Sequence, residues 1–352
     1  DSQVVLATGG EVVIRQSQDG GVFVSGTTGL GHILVGETGS IEAADVTLAS
    51  TGSAMAMAVQ NRGSIRASRA DSSGGRVRLL APNGGTISNE GIIDASGAGQ
   101  GGSIEMNSNG GLVNLGIGSQ TRADSTDGIG GDVMIIGREI NISPLATVSA
   151  TGSIRGGNAI IGDATTETVT MAEGALIDVS SESTGGNVSV TASGTILTAS
   201  TIDASGSQLS GGSVSMAGEN ILIAAEGRID ATSQVGRGGT VSLDAQDTLQ
   251  VAGTVDVSST DGDGGNVTMN ATDIIIPQGG RVLATGGNNG GTVVANASGE
   301  LFVAGEIGAD GRDGNGGFID LSGHDVFIAP TGNIHANGGV NGGQINLTAQ
   351  DQ

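Results

Sequence analysis

Short runs of alternating apolar and polar residues recur along this chain, and most of them follow a doubled glycine. The runs are GGRVRL from Gly74, GGSIEM from Gly101, GGDVMI from Gly130, GGNAII from Gly156, GGNVSV from Gly185 and GGSVSM from Gly211. They continue as GGTVSL from Gly238, GGNVTM from Gly264, GGTVVA from Gly290, GGFIDL from Gly316 and GGQINL from Gly342. Successive starts lie 27, 29, 26, 29, 26, 27, 26, 26, 26 and 26 residues apart. A fixed period of this size marks a solenoid, in which a repeat has no core of its own and buries its apolar face only against its neighbours.

One repeat shows the plan. After Gly264-Gly265, Val267 and Met269 fall on one side of a strand, Ile274 and Ile276 on one side of the next, and Val282 and Ala284 on one side of a third. The alternation therefore occurs three times per repeat in short runs, while a helical period is absent and the glycines would interrupt any helix. This predicts an all-β fold, a right-handed parallel β-helix with three short strands per coil and about 13 coils of roughly 26 residues, counted from Gly20. At about 4.8 Å per coil the rod is roughly 60 Å long.

The first inward position forms a ladder of Val77, Ile104, Val133, Val188, Val214, Val241, Val267, Val293, Ile319 and Ile345. Glycine is expected at the corners to supply positive φ. Length variation is expected to collect in the corner before each doubled glycine, with looser coils around 108–130 and 158–185. Residues 1–73, with GGEVVI at Gly9 and GGVFV at Gly20, read as irregular N-terminal coils continuous with the regular repeats of 74–352. The last strand opens a coil that the sequence does not complete, so this edge is expected to continue or to dock onto another molecule.

Composition narrows the function. The 352 residues include 67 glycines, four Phe and no Trp or Tyr, so the core must be a thin stack of aliphatic residues. Asp and Glu number 36 against 13 basic residues, all arginine, for a net charge of −23. That balance opposes nucleic-acid binding and favours solubility or recruitment of divalent cations. With no cysteine there is no disulfide framework and no thiolate site. No stretch has the roughly 18 consecutive apolar residues of a membrane helix, so no membrane insertion is expected. The chain opens on Asp1 with no signal-like segment, and is expected to be a mature product or part of something longer.

Around Ser64–Ala95 the chain reads GSIRAS and then SSGGRVRLLAPNGGTISNEGIIDASG, followed by GQGGSIEM; SIRGGNAIIGD and GALIDVSS follow within Ser153–Ser181. These phrases resemble the filamentous-haemagglutinin-type N-terminal region of two-partner-secretion exoproteins, over about residues 60–190 by phrase and the whole chain by repeat style. The early N-P-N-G-I signature of that family is absent, since Pro82-Asn83-Gly84-Gly85 lies in another context. The resemblance implies a β-helical shaft, adhesive or structural, that is exported to the surface of a bacterium.

Candidate chemistry is sparse. His32, His324 and His335 are too scattered for an acid/base pair and read as surface residues. In the phrase G-x-I-D-A-S the Asp lies between two inward residues and faces outward, giving a column of Asp178, Asp203, Asp230 and Asp256, with Asp94 further back. Leu283, Gly308 and His335 take its later positions. Carboxylates repeating about every 4.8 Å repel one another, and calcium would relieve the repulsion. Asp261 and Asp263 in one loop and Asp310 and Asp313 in another complete the candidate calcium ligands, against a reading of solvated faces and tight turns. Ice binding is disfavoured because no column of Thr persists through several coils.

The expectation is a non-enzymatic, secreted rod, the shaft of a bacterial surface adhesin or a subunit of a surface filament. Its partners would be further copies of itself, cell-surface or matrix polysaccharide, or a host surface, with glycan contacts weak and polar for want of an aromatic platform. The alternatives are a head-to-tail self-assembling fibre and a polysaccharide-degrading β-helix enzyme.

Overall fold

The computed structural model describes residues 2–8, 11–16, 22–27, 31–50 and 56–349. Among them there is no helix, and the strands form three long parallel sheets of 13, 12 and 12 strands. In every sheet a strand pairs with its counterpart one coil before and one coil after. The result is a parallel β-helix of twelve complete coils, with Gln344–Ala349 opening a thirteenth.

The predicted inward ladder holds in register. Val46, Val77, Ile104, Val133, Ala159, Val188, Val214, Val241, Val267, Val293, Ile319 and Ile345 are successive partners, Ala159 filling the rung that the phrase pattern skipped. From Val46 to Ile319 these side chains are at most 2 % exposed. Burying each larger aliphatic rung stabilises by about 1.5–3 kcal/mol, and the parallel bonds to both neighbouring coils satisfy the backbone beneath it. The second sheet supplies a matching ladder from Ile33 through Ile140 to Leu301, and the third one from Ile65 through Ile177 to Ile307.

Three expectations are corrected. First, the coil pairing expected from Gly20 onward is already present at Gln3–Thr8, which pairs with Asp45–Ser50. Glu11–Gln16 and Val22–Thr27 form an antiparallel hairpin outside the three sheets, inserted in the first coil; Gly9 and Gly20 themselves lie outside the described residues. Alternation alone does not say whether the partner of a strand is its neighbour in the chain or in the next coil.

Second, among the described residues the positive φ expected of corner glycines is found at Gly84, Gly110, Gly118, Gly162, Gly174 and Gly279, all in the first and second links of their coils, and not at the doubled glycines of the repeats. The repeat glycines are required by close approach of backbones. A Cβ on Gly238 would overlap the Val257 carbonyl oxygen and lie 2.7 Å from the Gly265 nitrogen, and one on Gly239 would overlap the Gly212 carbonyl oxygen.

Third, the corner before the doubled glycine varies by a single residue, six at 95–100 and 284–289 and seven at 123–129 and 204–210. It stacks coil on coil through bridges such as Gly152–Ser181–Gly206–Ser233–Ser259–Gly286–Gly311–Gly338. The link between first and second strands varies more: Gly162–Glu167 in one of the 29-residue coils, Ser108–Gly111 in the other, and only Thr272 in a 26-residue coil. A link without bridges to its neighbours can absorb residues that a stacked corner cannot.

Candidate functional site

A concave stretch of surface lies at that stacked corner, where the chain leaves the third sheet. A groove of about 760 Å³ runs across the coils from Thr232 to Gly339. Gly286, Gly287, Gly311, Gly338 and Gly339 form part of its wall, and Thr232, Ser258, Thr285, Asp310 and Asn337 line it one coil after another. These five positions are stacked directly: Gly206 N donates to Thr232 O, Ser233 N to Ser258 O, Ser259 N to Thr285 O, Gly286 N to Asp310 O and Gly311 N to Asn337 O. The same column continues backward through Ser205, Ser180 and Thr151, which line a second concavity of about 440 Å³.

A mixed hydroxyl column from Thr151 to Thr285 is thus a feature that sequence reading missed. A search for Thr alone did not find it, although the Ser of the phrase D-A-S was the available signal.

The predicted carboxylate column is present in register. Ser149 pairs with Asp178, Asp178 with Asp203, Asp203 with Asp230 and Asp230 with Asp256, after which Leu283, Gly308 and His335 follow. Each Asp also has a local task. Oδ1 of Asp178, Asp203, Asp230 and Asp256 accepts a hydrogen bond from the backbone N–H two residues on, at Ser180, Ser205, Thr232 and Ser258, over 2.9–3.0 Å. This Asx turn bends the chain into the corner and presents the hydroxyl residue to the groove.

Neighbours in the column set its electrostatics. Burial pushes the Asp203 carboxyl upward, and the charges of Asp178 and Asp230 add to the rise against the hydrogen bonds from Ser205. Arg228 neutralises the other end, with Nη2 2.7 Å from Asp230 Oδ2 and 3.4 Å from Asp256 Oδ2. Asp94 does not join the run, because Arg122 and Ser149 separate it from Asp178. Burial opposes its charge too, but hydrogen bonds from Ser96 and the guanidinium groups of Arg66 and Arg122 outweigh burial and lower its pKa.

The loop carboxylates divide between the two sides of the corner. Asp261, Asp263 and Asp313 line a neighbouring concavity of about 490 Å³ with Arg237 and Asn288. Asp263 Oδ1 accepts from the Asn289 N–H at 3.0 Å and from the side chains of Asn288 and Asn289, which holds its carboxyl below the usual range. Arg312 reaches Asp313 at 3.2 Å and Asp261 at 3.9 Å. Asp310 accepts from the Asn337 backbone N–H at 2.6 Å and lies 2.9 Å from His335 Nδ1. The eight candidate calcium ligands are therefore spread along a column and two loops. Among the described residues no group of three or more His, Asp or Glu is placed to hold a metal ion.

His335 is not the surface residue expected. Its side chain is 20 % exposed, packs over Gly308 and places Nε2 3.1 Å from Glu306 Oε1. Burial lowers its pKa, but Asp310 and Glu306 outweigh burial and raise it, while Arg281 holds Glu306 below its ordinary value. The core also carries polar rungs that the alternation did not reveal: Asn61 Nδ2 donates to Asn89 Oδ1 at 2.8 Å, and each Asn accepts the N–H of the glycine two residues on. The N-x-G phrase is the sequence trace of that internal turn.

Fold and surface define a β-solenoid with a polar groove along one corner. No protein-family model matches the chain, and no curated protein matches it. Among the described residues no helix is long and apolar enough to cross a membrane.

Proposed function

We propose that this chain is a secreted, non-enzymatic rod that serves as the shaft of a bacterial surface adhesin or as a subunit of a surface filament. The observation that carries the reading is the continuity of the three parallel sheets through twelve coils, with one aliphatic core along the whole axis. Axial hydrogen-bond ladders resist extension and bending, the mechanical property that a shaft needs. The acidic residues support the same reading, since Asp178, Asp203, Asp230, Asp256, Asp263 and Asp310 all bind backbone N–H groups that shape the corner. A glycan-cleaving site would need carboxylates directed at a substrate.

The test is negative-stain electron microscopy of the purified chain, with and without calcium, beside an assay for cleavage of a polysaccharide panel. Rods near 60 Å, or filaments built from them, with no release of sugar ends are the expected result. Compact globular particles, or turnover abolished by Asp256→Asn, would overturn it.

A further inference from the structure

The geometry points to the corner groove as a binding site for an uncharged, linear polysaccharide lying parallel to the rod axis. Three features of the groove converge on that ligand.

The first is periodicity. Thr232, Ser258, Thr285, Asp310 and Asn337 offer one polar side chain per coil along the groove, repeating about every 4.8 Å, close to the length of one pyranose unit. A ligand that meets every rung must itself be a linear repeat rich in hydroxyl groups.

The second is charge. The groove contains Asp256, Asp310 and Arg312, and each already has an opposite charge at hand within the chain. Asp256 has Arg228 at 3.4 Å, Asp310 has His335 at 2.9 Å, an opposite charge when the imidazole is protonated, and Arg312 has Asp313 at 3.2 Å. These internal pairs leave the groove no strong demand for a charged ligand, and the net charge of −23 repels acidic polymers.

The third is the state of the backbone. Corner amides and carbonyls are paired between coils, so an extended peptide would find no free strand edge to join. Thr285 Oγ1 donates to Ser258 Oγ at 3.0 Å and Asn337 Nδ2 to Asp310 Oδ1 at 3.1 Å, which leaves the Ser258 hydroxyl proton, the Thr285 lone pairs and the Asn337 amide oxygen to meet sugar hydroxyls. The binding is polar throughout, because no aromatic ring lines the groove.

This inference goes beyond the shaft reading, and its failure would leave that reading intact, because a rod that binds no glycan is still a rod by microscopy. The experiment is titration calorimetry of the purified chain with hexasaccharides of β-1,4-glucan, β-1,3-glucan and β-1,4-mannan, beside an acidic hexagalacturonate and an extended uncharged peptide. At least one neutral hexasaccharide is expected to bind, and tenfold more tightly than its disaccharide. Thr285→Leu removes a hydroxyl and narrows the groove, and should weaken binding at least tenfold. Thr260→Leu, at an exposed position on the groove wall, should weaken it severalfold without burdening the fold. Phe327→Ser, on the outer face of the second sheet, should change nothing. Absence of neutral-glycan binding, preference for the acidic sugar or the peptide, or unchanged affinity in both groove variants would overturn the assignment.

Discussion

One outward column of the third sheet contains two electrostatic arrangements built on the same local turn. Toward the N-terminus it runs Glu42, Arg66, Asp94, Arg122, with charge alternating from coil to coil. Further on it runs Asp178, Asp203, Asp230, Asp256, with like charges adjacent. Asp94 and Asp203 make the same bond to the N–H two residues on, at 3.0 and 2.9 Å. Yet the Asp94 pKa is lowered and that of Asp203 is raised. Burial raises both, so the difference comes from what the register places one coil away. In a solenoid the turn is a local property, whereas the charge state of its side chain belongs to the column.

The comparison depends on register, and register depends on the stacked corner. Gly239→Val is therefore the change that breaks it most completely. A Cβ there would overlap the Gly212 carbonyl oxygen and lie 2.9 Å from the Ala231 Cβ, neither of which can move without moving a neighbouring coil. The expected loss is about 3 kcal/mol or more, at the upper end for overpacking, seen as a lower midpoint in chemical denaturation. A valine at Gly99, where an added Cβ meets nothing within 4 Å, is the control and should cost far less.

Much of this was legible in the sequence, and the rest was hidden for a physical reason. Alternation and period identified the three strands, the inward ladder and the order Asp178–Asp203–Asp230–Asp256–Leu283–Gly308–His335, because a parallel β-helix converts sequence period directly into neighbourhood. What alternation cannot express is backbone proximity and long side-chain reach. Glycine at the corners is expected for positive φ, which Gly84 and Gly162 do adopt, whereas the doubled glycines are required by crowding from the neighbouring coils. Arg228 lies two residues before Asp230, and nothing in the phrase R-I-D says that its guanidinium spans to Asp256 as well. His335 reads as a surface residue because the histidines are scattered along the sequence, but its counterpart in the previous coil is Gly308, whose missing side chain lets the ring fold inward between Glu306 and Asp310.

Arg228 also marks the next step down in expected effect. Its removal as Arg228→Gln would leave Asp230 and Asp256, with side chains 17 % and 15 % exposed, without their counter-charge and beside Asp203. Breaking a partly buried, hydrogen-bonded charge pair costs about 1–3 kcal/mol, and exposure of 41 % for the guanidinium places this one toward the lower end. Because the attraction is between charges, the loss should shrink in high salt. Denaturation of the variant and the parent at low and high ionic strength checks both statements. A loss that is equal at the two salt concentrations would show that Arg228 acts through packing alone.

The smallest effect is the most discriminating, because it has opposite signs in the two halves of the column. The Asp94 pKa is lowered from 3.8, so Asp94 contributes stability that is present above that value and is lost as pH falls through its folded pKa. The Asp203 pKa is raised from 3.8, so its contribution is present below that value and is lost as pH rises through its folded pKa. Asp94→Asn should therefore destabilise the rod at pH 7 and matter less in acid, while Asp203→Asn should stabilise it at pH 7 and be neutral or slightly unfavourable in acid. Asn keeps the side-chain oxygen that accepts the N–H of Ser96 or Ser205, so the turn survives and the charge alone is read. Each change should be on the order of 1 kcal/mol or less, since both sites remain in contact with solvent at the surface. Denaturation midpoints of the two variants between pH 3 and pH 7 decide it. Curves of the same sign would mean that the turn, and not the neighbouring coil, governs these carboxylates.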